Sequence, residues 1–436
     1  MRNAFMAGNA HTGSRRGTPP GYLALLRQNR NFRRFWLGQV VSQLGDWLDY
    51  VALLTLLLTL TGSGTVVAGM LVARFLPTFF VGPLAGVVVD RLHRKYLLVA
   101  ADLTRAVLVL GLLLVQRADQ VWISYVVVAA VVTVTAFFEP ARTASIPNVT
   151  TSDELVVANT LSSATWSLSL ALGSAVGGLV TAVIGWRAAF VLDALSFATS
   201  AVLLSRVDLP RPQPAPRRAG WAELLGLTDL AEGARYLRGH PPVASLVLVK
   251  TGWALAGGVV LLHSVFGERV YPVWGSAAAG IGVLAMARGT GTALGPIVAR
   301  RLLGDAPEQM ATGIAAGFFV AGTLYLAFSQ VYALPWALVT LLVAHMGGST
   351  LWVFSTTLLQ LLVPDALRGR VFAAELALLT LAMTASNFVT GWALDTAGFS
   401  PRVLSAMLGA LCFLPGSLWL LLQRSARYRV RAAARV

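Results

Sequence analysis

The sequence predicts an all-α integral membrane protein in which twelve transmembrane helices form two pseudo-symmetric six-helix halves. Three observations predict it. Of the 436 residues, 56% are hydrophobic, and mean hydropathy is +0.70. A water-soluble fold cannot bury that much apolar surface, whereas a helix bundle in lipid needs it. Apolar stretches of about 20 residues, the length that crosses a bilayer, recur twelve times. Basic residues mark alternate gaps between them, as they do when cytoplasmic loops retain Lys and Arg.

The spans are predicted at about 34–60, 65–89, 96–116, 120–140, 158–184, 187–205, 243–266, 275–299, 310–329, 333–362, 371–393 and 402–423. An even number puts both chain ends on one side. With the amino terminus inside, inner segments hold 26 of the 34 Lys and Arg residues. Outer segments hold four, namely Arg117, Arg187, Arg269 and Arg402. Arg74, Arg105, Lys250 and Arg288 fall within spans. This bias predicts cytoplasmic termini in a bacterial-type cell membrane. The chain then divides into a cytoplasmic segment 1–33, a six-helix half 34–205, a cytoplasmic linker 206–242, a second half 243–423 and a tail 424–436. The linker opens on the proline-rich run from Pro210 to Pro216. Residues 221–238 could follow as an amphipathic surface helix, with Trp221, Leu224, Leu225, Leu227 and Leu230 as its apolar contacts. The halves repeat. Ala73-Arg74 and Gly82-Pro83 in span two match Ala287-Arg288 and Gly295-Pro296 in span eight, and Ile146-Pro147 matches Val363-Pro364.

Composition excludes several classes. The net charge of +15 does not imply nucleic acid, because the arginines sit at the ends of apolar spans. Cys412 is the single cysteine, so an internal disulfide and a cysteine-based metal site are excluded. The first 20 residues lack a signal-peptide core, and the Asn148-Val149-Thr150 sequon lies in a predicted cytoplasmic loop. Neither a phosphate-cradling G-x-x-x-x-G-K-[ST] run, nor H-E-x-x-H, nor a nucleophile elbow occurs. The expectation is a non-enzyme without cofactor, driven by an ion gradient.

The loop after span two reads Gly86-Val-Val-Val-Asp90-Arg91-Leu92-His93-Arg94-Lys95. This resembles the cytoplasmic signature between helices two and three of the major facilitator superfamily, with His93 where that family usually has Gly. Gln43-Leu44-Gly45-Asp46-Trp47, Leu60-Thr61-Gly62-Ser63, Ala73-Arg74-Phe75-Leu76-Pro77, Pro140-Ala141-Arg142 and Arg368-Gly369-Arg370-Val371 resemble its drug-efflux members near macrolide and enterobactin exporters. The resemblance implies the major facilitator fold and drug-type proton antiport. It also implies that Asp90 caps the amino terminus of helix eleven. A carboxylate is favoured there by the helix dipole. Arg91, Arg94 and Lys95 would pair with nearby acids, and Asp102, Arg105, Glu139, Arg142 and Glu375 would extend a latch over the cytoplasmic mouth. Simple positive-inside anchoring is the competing reading.

Span one carries the richest chemistry. Gln39, Gln43, Asp46 and Tyr50 share one helix face. Asp46 falls near mid-membrane, where an ionised carboxylate costs about 2.5–3.5 kcal/mol on insertion scales. It must face a wet cavity, find a cation or hold a proton. Arg74 lies at matching depth. Asp46 is therefore a proton-coupling candidate, or else half of a permanent salt bridge with Arg74. Asp49 is a second candidate for the same role, and Arg288 could line a pseudo-symmetric cavity. Asp193 and Lys250 are expected to snorkel toward an interface. His263 and His345 could shuttle protons, or simply hydrogen-bond a neighbouring helix. Gly173, Gly177 and Gly178 form a small-residue stripe for close packing on span five, and some of Trp47, Trp166, Trp253, Trp352 and Trp392 could line a drug cavity.

These readings converge on a monomeric secondary transporter that exports a bulky hydrophobic molecule, such as a macrolide-like drug or a siderophore, against proton flow. Its partners would be that substrate and the bilayer. Uptake, lipid flipping or a non-transporting receptor or scaffold on the same fold are the alternatives.

Overall fold

The protein is described here by a computed structural model covering residues 21–151, 153–210, 227–304 and 306–425, with a few helix side chains excepted. Among these residues, twelve segments are long and apolar enough to cross a membrane. They are span one, Arg30–Thr61; span two, Gly64–Arg91; span three, Arg94–Leu110 with a 3₁₀ extension to Leu114; span four, Val121–Val149; span five, Leu155–Val183; and span six, Trp186–Ser205. In the second half, span seven comprises Pro241–Ala254 and Val259–Arg269, and span eight is Ala277–Leu303. Span nine is Pro307–Gln330, span ten Leu334–Leu362, span eleven Asp365–Asp395 and span twelve Pro401–Arg424. Twelve crossings bring residues 21 and 425 to one face, called here the terminal face.

Local chemistry sets the joints. Span one stops at Gly62, whose φ of 60° suits glycine. Ser63 then caps span two, its side chain accepting from Val66 N–H at 3.2 Å. His93, at the position where the resembled signature has glycine, caps span three by accepting from Lys95 N–H at 3.3 Å.

Three elements differ from expectation. Span four runs nine residues beyond its expected end at 140, through Pro140 and Pro147. Each proline removes one helical donor, but abandoning the helix would leave many more backbone groups without partners in a low-dielectric bundle. Ile146-Pro147 consequently lies inside a helix, whereas Val363-Pro364 forms the break between spans ten and eleven. Span seven is interrupted between Ala254 and Val259. Ser386 of span eleven bridges the gap: its hydroxyl accepts from Gly258 N–H at 2.9 Å and donates to the Leu255 carbonyl at 2.7 Å. The linker helix is Leu227–Gly239, and Trp221, Leu224 and Leu225 lie outside the described residues. It packs on the start of span eleven, where Glu232 pairs with Arg370 at 2.7 Å. A short helix, Tyr22–Gln28, precedes span one.

Within the first half, span one packs on spans five and six, span four on two and three, and span three on six. In the second half, span ten packs on eight and nine, span nine on twelve, and span seven on eleven. The halves meet along spans five and eight and along spans two and eleven.

Glycine makes these contacts possible. Gly173 and Gly177 face span one, where an added Cβ would lie 2.9 Å from Leu44 O and 2.7 Å from Leu48 Cα. Gly178 instead faces span eight, and a Cβ there would lie 2.6 Å from the Ala278 carbonyl. The stripe thus serves two interfaces, one inside a half and one between halves. Gly178→Val should overpack the second, lowering stability by about 1–3 kcal/mol. Reversible unfolding in detergent, compared with exposed Gly369→Ala, checks this.

Candidate functional site

The centre of the first half holds more charge than a bilayer-embedded core normally tolerates. Asp46 and Asp49 come from span one, Asp102 and Arg105 from three, Glu139 and Arg142 from four, Asp193 from six and Arg74 from two. Close helix approach gathers them. Gly45 lies against Asp193 and Ser196 of span six so tightly that no side chain would fit, and Gly38 packs one heptad earlier near Ser200.

Two acids are paired. Arg105 binds Asp102, both fully buried, and its guanidinium lies 4.2 Å from the Phe138 ring and 4.4 Å from the Phe197 ring. Arg142 binds Glu139 at 2.7 Å, and the Glu139 side chain stays 45% exposed. The Asp102–Arg105 pair lies about 12–16 Å along span three by helical rise. It therefore braces spans three, four and six inside the bilayer rather than extending a latch at the mouth. Arg94 does lie at the terminal face. It donates to the Ala144 carbonyl at 2.9 Å and to Asn148 at 3.0 Å, tying span three to span four without an acid. The side chains of Gly86, Asp90 and Arg91 lie outside the described residues.

Three acids have no ion pair among the described residues: Asp46, Asp49 and Asp193. They lie within electrostatic range of one another, with Arg74 acting on the first two and Arg105 on Asp46 and Asp193. One oxygen each of buried Asp49 and Asp193 accepts no hydrogen bond. Asp46 is partly exposed. Burial of Asp193 at 1% corrects the expected snorkelling: span six turns it toward span one. Nor is there a static Asp46–Arg74 bridge. Arg74 lies 5.0 Å from the Tyr50 ring and 5.9 Å from the Trp47 ring, and Trp166 packs edge-on against Trp47 at 5.8 Å. Of the remaining polar residues on the span-one face, Gln39 donates to the Ser162 carbonyl at 3.1 Å. The carbonyl oxygens of Gln39 and Gln43 are buried without partners. Among the described residues no group of acids, histidines and cysteine has metal-holding geometry.

The second half carries a different set. Lys250 also does not snorkel. It is buried and binds Glu375 of span eleven at 2.8 Å, with the Trp352 ring 4.7 Å away. This removes Glu375 from the expected mouth latch. His263 and His345 face each other at 5.3 Å between ring centroids, and His345 shares a 3.2 Å hydrogen bond with Tyr325. Neither histidine is isolated. Arg288 acts electrostatically on both and makes no ion pair among the described residues. Equal depth in spans seven and eleven was the sequence signal for Lys250–Glu375. The clustering of Asp193 had no signal, since it depends on helix rotation.

Twelve apolar spans packed as two halves, a broken span seven and a buried charge cluster within the first half form a framework suited to a membrane carrier. The Major Facilitator Superfamily profile matches residues 35–375. The chain belongs to this family of membrane transporters. An uncharacterised family transporter of Bacillus subtilis, YfiS, is 25% identical over 82% of this chain and 85% of its own. Macrolide efflux protein A of Streptococcus pyogenes is 28% identical over 50% of this chain and 54% of its own. Among solved structures, a peptide transporter bound to sulfate superposes with a TM-score of 0.74 at 11% identity, covering 94% of this chain and 97% of that one. A bacterial homologue of the lysosomal transporter Spinster, inward-facing and unoccupied, gives 0.65 at 16% identity, covering 93% and 97%. These superpositions establish the shared fold.

Removing one partner of a buried ion pair leaves an uncompensated charge. Lys250→Met should therefore destabilise the protein by about 3–5 kcal/mol, while the double variant with Glu375→Leu should recover most of that loss. A double-mutant unfolding cycle measures the difference.

Proposed function

We propose that this transporter exports bulky, largely hydrophobic molecules in exchange for protons, with its terminal face in the cytoplasm of a bacterial-type cell. The observation that carries the reading is the charge balance at the centre of the first half. Once the Asp102–Arg105 and Glu139–Arg142 pairs are set aside, the cluster of Asp46, Asp49 and Asp193 has, among the described residues, Arg74 as its unpaired cation, and Arg74 acts on Asp46 and Asp49 but not on Asp193. Three ionised carboxylates at that depth would leave uncompensated charge in a low-dielectric bundle. A proton, or a cationic group on the substrate, supplies the balance. Binding of one in place of the other couples their movements.

Partly exposed Asp46 is the group that exchanges its proton or a substrate cation, and the two buried acids raise the cost of leaving it ionised. The exposed Trp166 ring, backed by the buried Trp47 and Tyr50 rings, gives a hydrophobic molecule an apolar surface beside that charge. Export is supported by the macrolide efflux relative, and the 26-to-four distribution of basic residues orients the chain with its terminal face inside. Arg288 and the His263–His345 pair line the opposing half, and the proton gradient provides the energy.

Proteoliposomes with an imposed pH gradient, a panel of macrolides, cationic dyes and siderophores, and Asp46→Asn beside wild type provide the test. Counterflow of protons with one compound class should fall at least about tenfold in the variant, the scale expected for a group whose charge change drives the step. Counterflow that survives Asp46→Asn moves the coupling role to Asp49 or Asp193. Substrate movement without any proton flux would overturn the exchange mechanism.

A further inference from the structure

Four hydrogen bonds join the two halves through described residues, and all four converge on the turn at Gly62–Thr65 between spans one and two, on the face opposite the termini. Asp395, the last residue of span eleven, supplies three of the contacts. One carboxylate oxygen accepts from Gly64 N–H at 2.9 Å. The other accepts from Thr65 N–H at 2.7 Å and from the Ser63 hydroxyl. Arg269, the last residue of span seven, donates to the Gly62 carbonyl.

The charges match the helix ends they touch. Gly64 and Thr65 open span two, where free N–H groups and the dipole favour an anion. Gly62 closes span one, where free carbonyls favour a cation. One acid and one base from the second half thus hold both ends of a single helical turn in the first. The seam beneath is closed by backbone contact: a Cβ on Gly391 would lie 2.8 Å from the Gly64 carbonyl, and one on Gly64 would lie 2.8 Å from the Leu394 side chain.

We propose that Asp395 and Arg269 form the latch that shuts this face, and that it must release whenever the face opens. The proposal rests on alternating access, as in the function proposed above. Asp395 is exposed at the rim and Thr65 is half-buried there. Water can therefore solvate the separated groups, and each contact is weak enough to break in every cycle. The buried Asp102–Arg105 pair, by contrast, is suited to permanent bracing.

The test is a distance measurement on the full-length protein in nanodiscs. Spin labels at Ala118→Cys and Ala397→Cys, in a Cys412→Ser background, report across the opposite face, where both alanines are exposed. In wild type the short distance should dominate. Asp395→Ala should shift the closed-to-open ratio toward the longer distance by about five- to tenfold, and Arg269→Ala should shift it in the same direction. Asp395→Asn keeps an acceptor oxygen but no charge and should fall between. The wild type itself provides a readout without mutation: raising ionic strength from about 0.01 to 1 M, which shortens the screening length from about 30 to 3 Å, should favour the longer distance. Distances unchanged by both alanine variants and by salt would overturn the latch. These distances are read without substrate, so a failure of proton-coupled export in liposomes would leave the result standing.

Discussion

A charge inside a bilayer must be paired, hydrated or neutralised, and the organisation of this bundle follows from that requirement. Fully buried Asp102–Arg105 and Lys250–Glu375 satisfy it by pairing and become braces, one in each half. Asp46, Asp49 and Asp193 do not satisfy it among themselves. That unmet requirement is what distinguishes the proposed exchange site from the paired braces. The same residue type has opposite uses, decided by whether a cation lies within bonding distance.

Backbone groups are subject to the same rule, and glycine determines where they meet. Gly45 admits Asp193 to the span-one face, while Gly178 and Gly282 bring spans five and eight into backbone contact. Where the helix of span seven breaks, the Ser386 hydroxyl takes up the freed N–H and carbonyl. Discontinuous helices of this kind are expected only where another element can satisfy the backbone. The break therefore depends on span eleven as the neighbour of span seven.

The rim and the interior of this interface differ. Exposed contacts at the Gly62–Thr65 turn are few, polar and dipole-matched, whereas the contacts deeper along spans two and eleven are apolar, with Phe75 beside Leu379 and Met383. Apolar surfaces that slide over each other have little directional preference, while charges at helix ends have a defined engaged position. A few polar contacts at the rim can thus select between two arrangements of an otherwise smooth interface.

Much of the fold was legible in the sequence because span length and hydropathy are local properties dictated by bilayer thickness. Span four escaped that logic: Pro140 reads as a stop in water, but a helix surrounded by other helices continues through it. The polar face of span one, with Gln39, Gln43, Asp46 and Tyr50, followed from helical period alone. What lay opposite that face did not follow. Asp193 facing Gly45, Arg74 resting on Tyr50 and not on Asp46, and Asp395 reaching the start of span two all depend on helix rotation and on contacts between residues far apart in sequence. The sequence by itself determined which helices form and which charges enter the membrane. Only the tertiary structure decided which of those charges are paired, because pairing depends on distances that no local periodicity encodes.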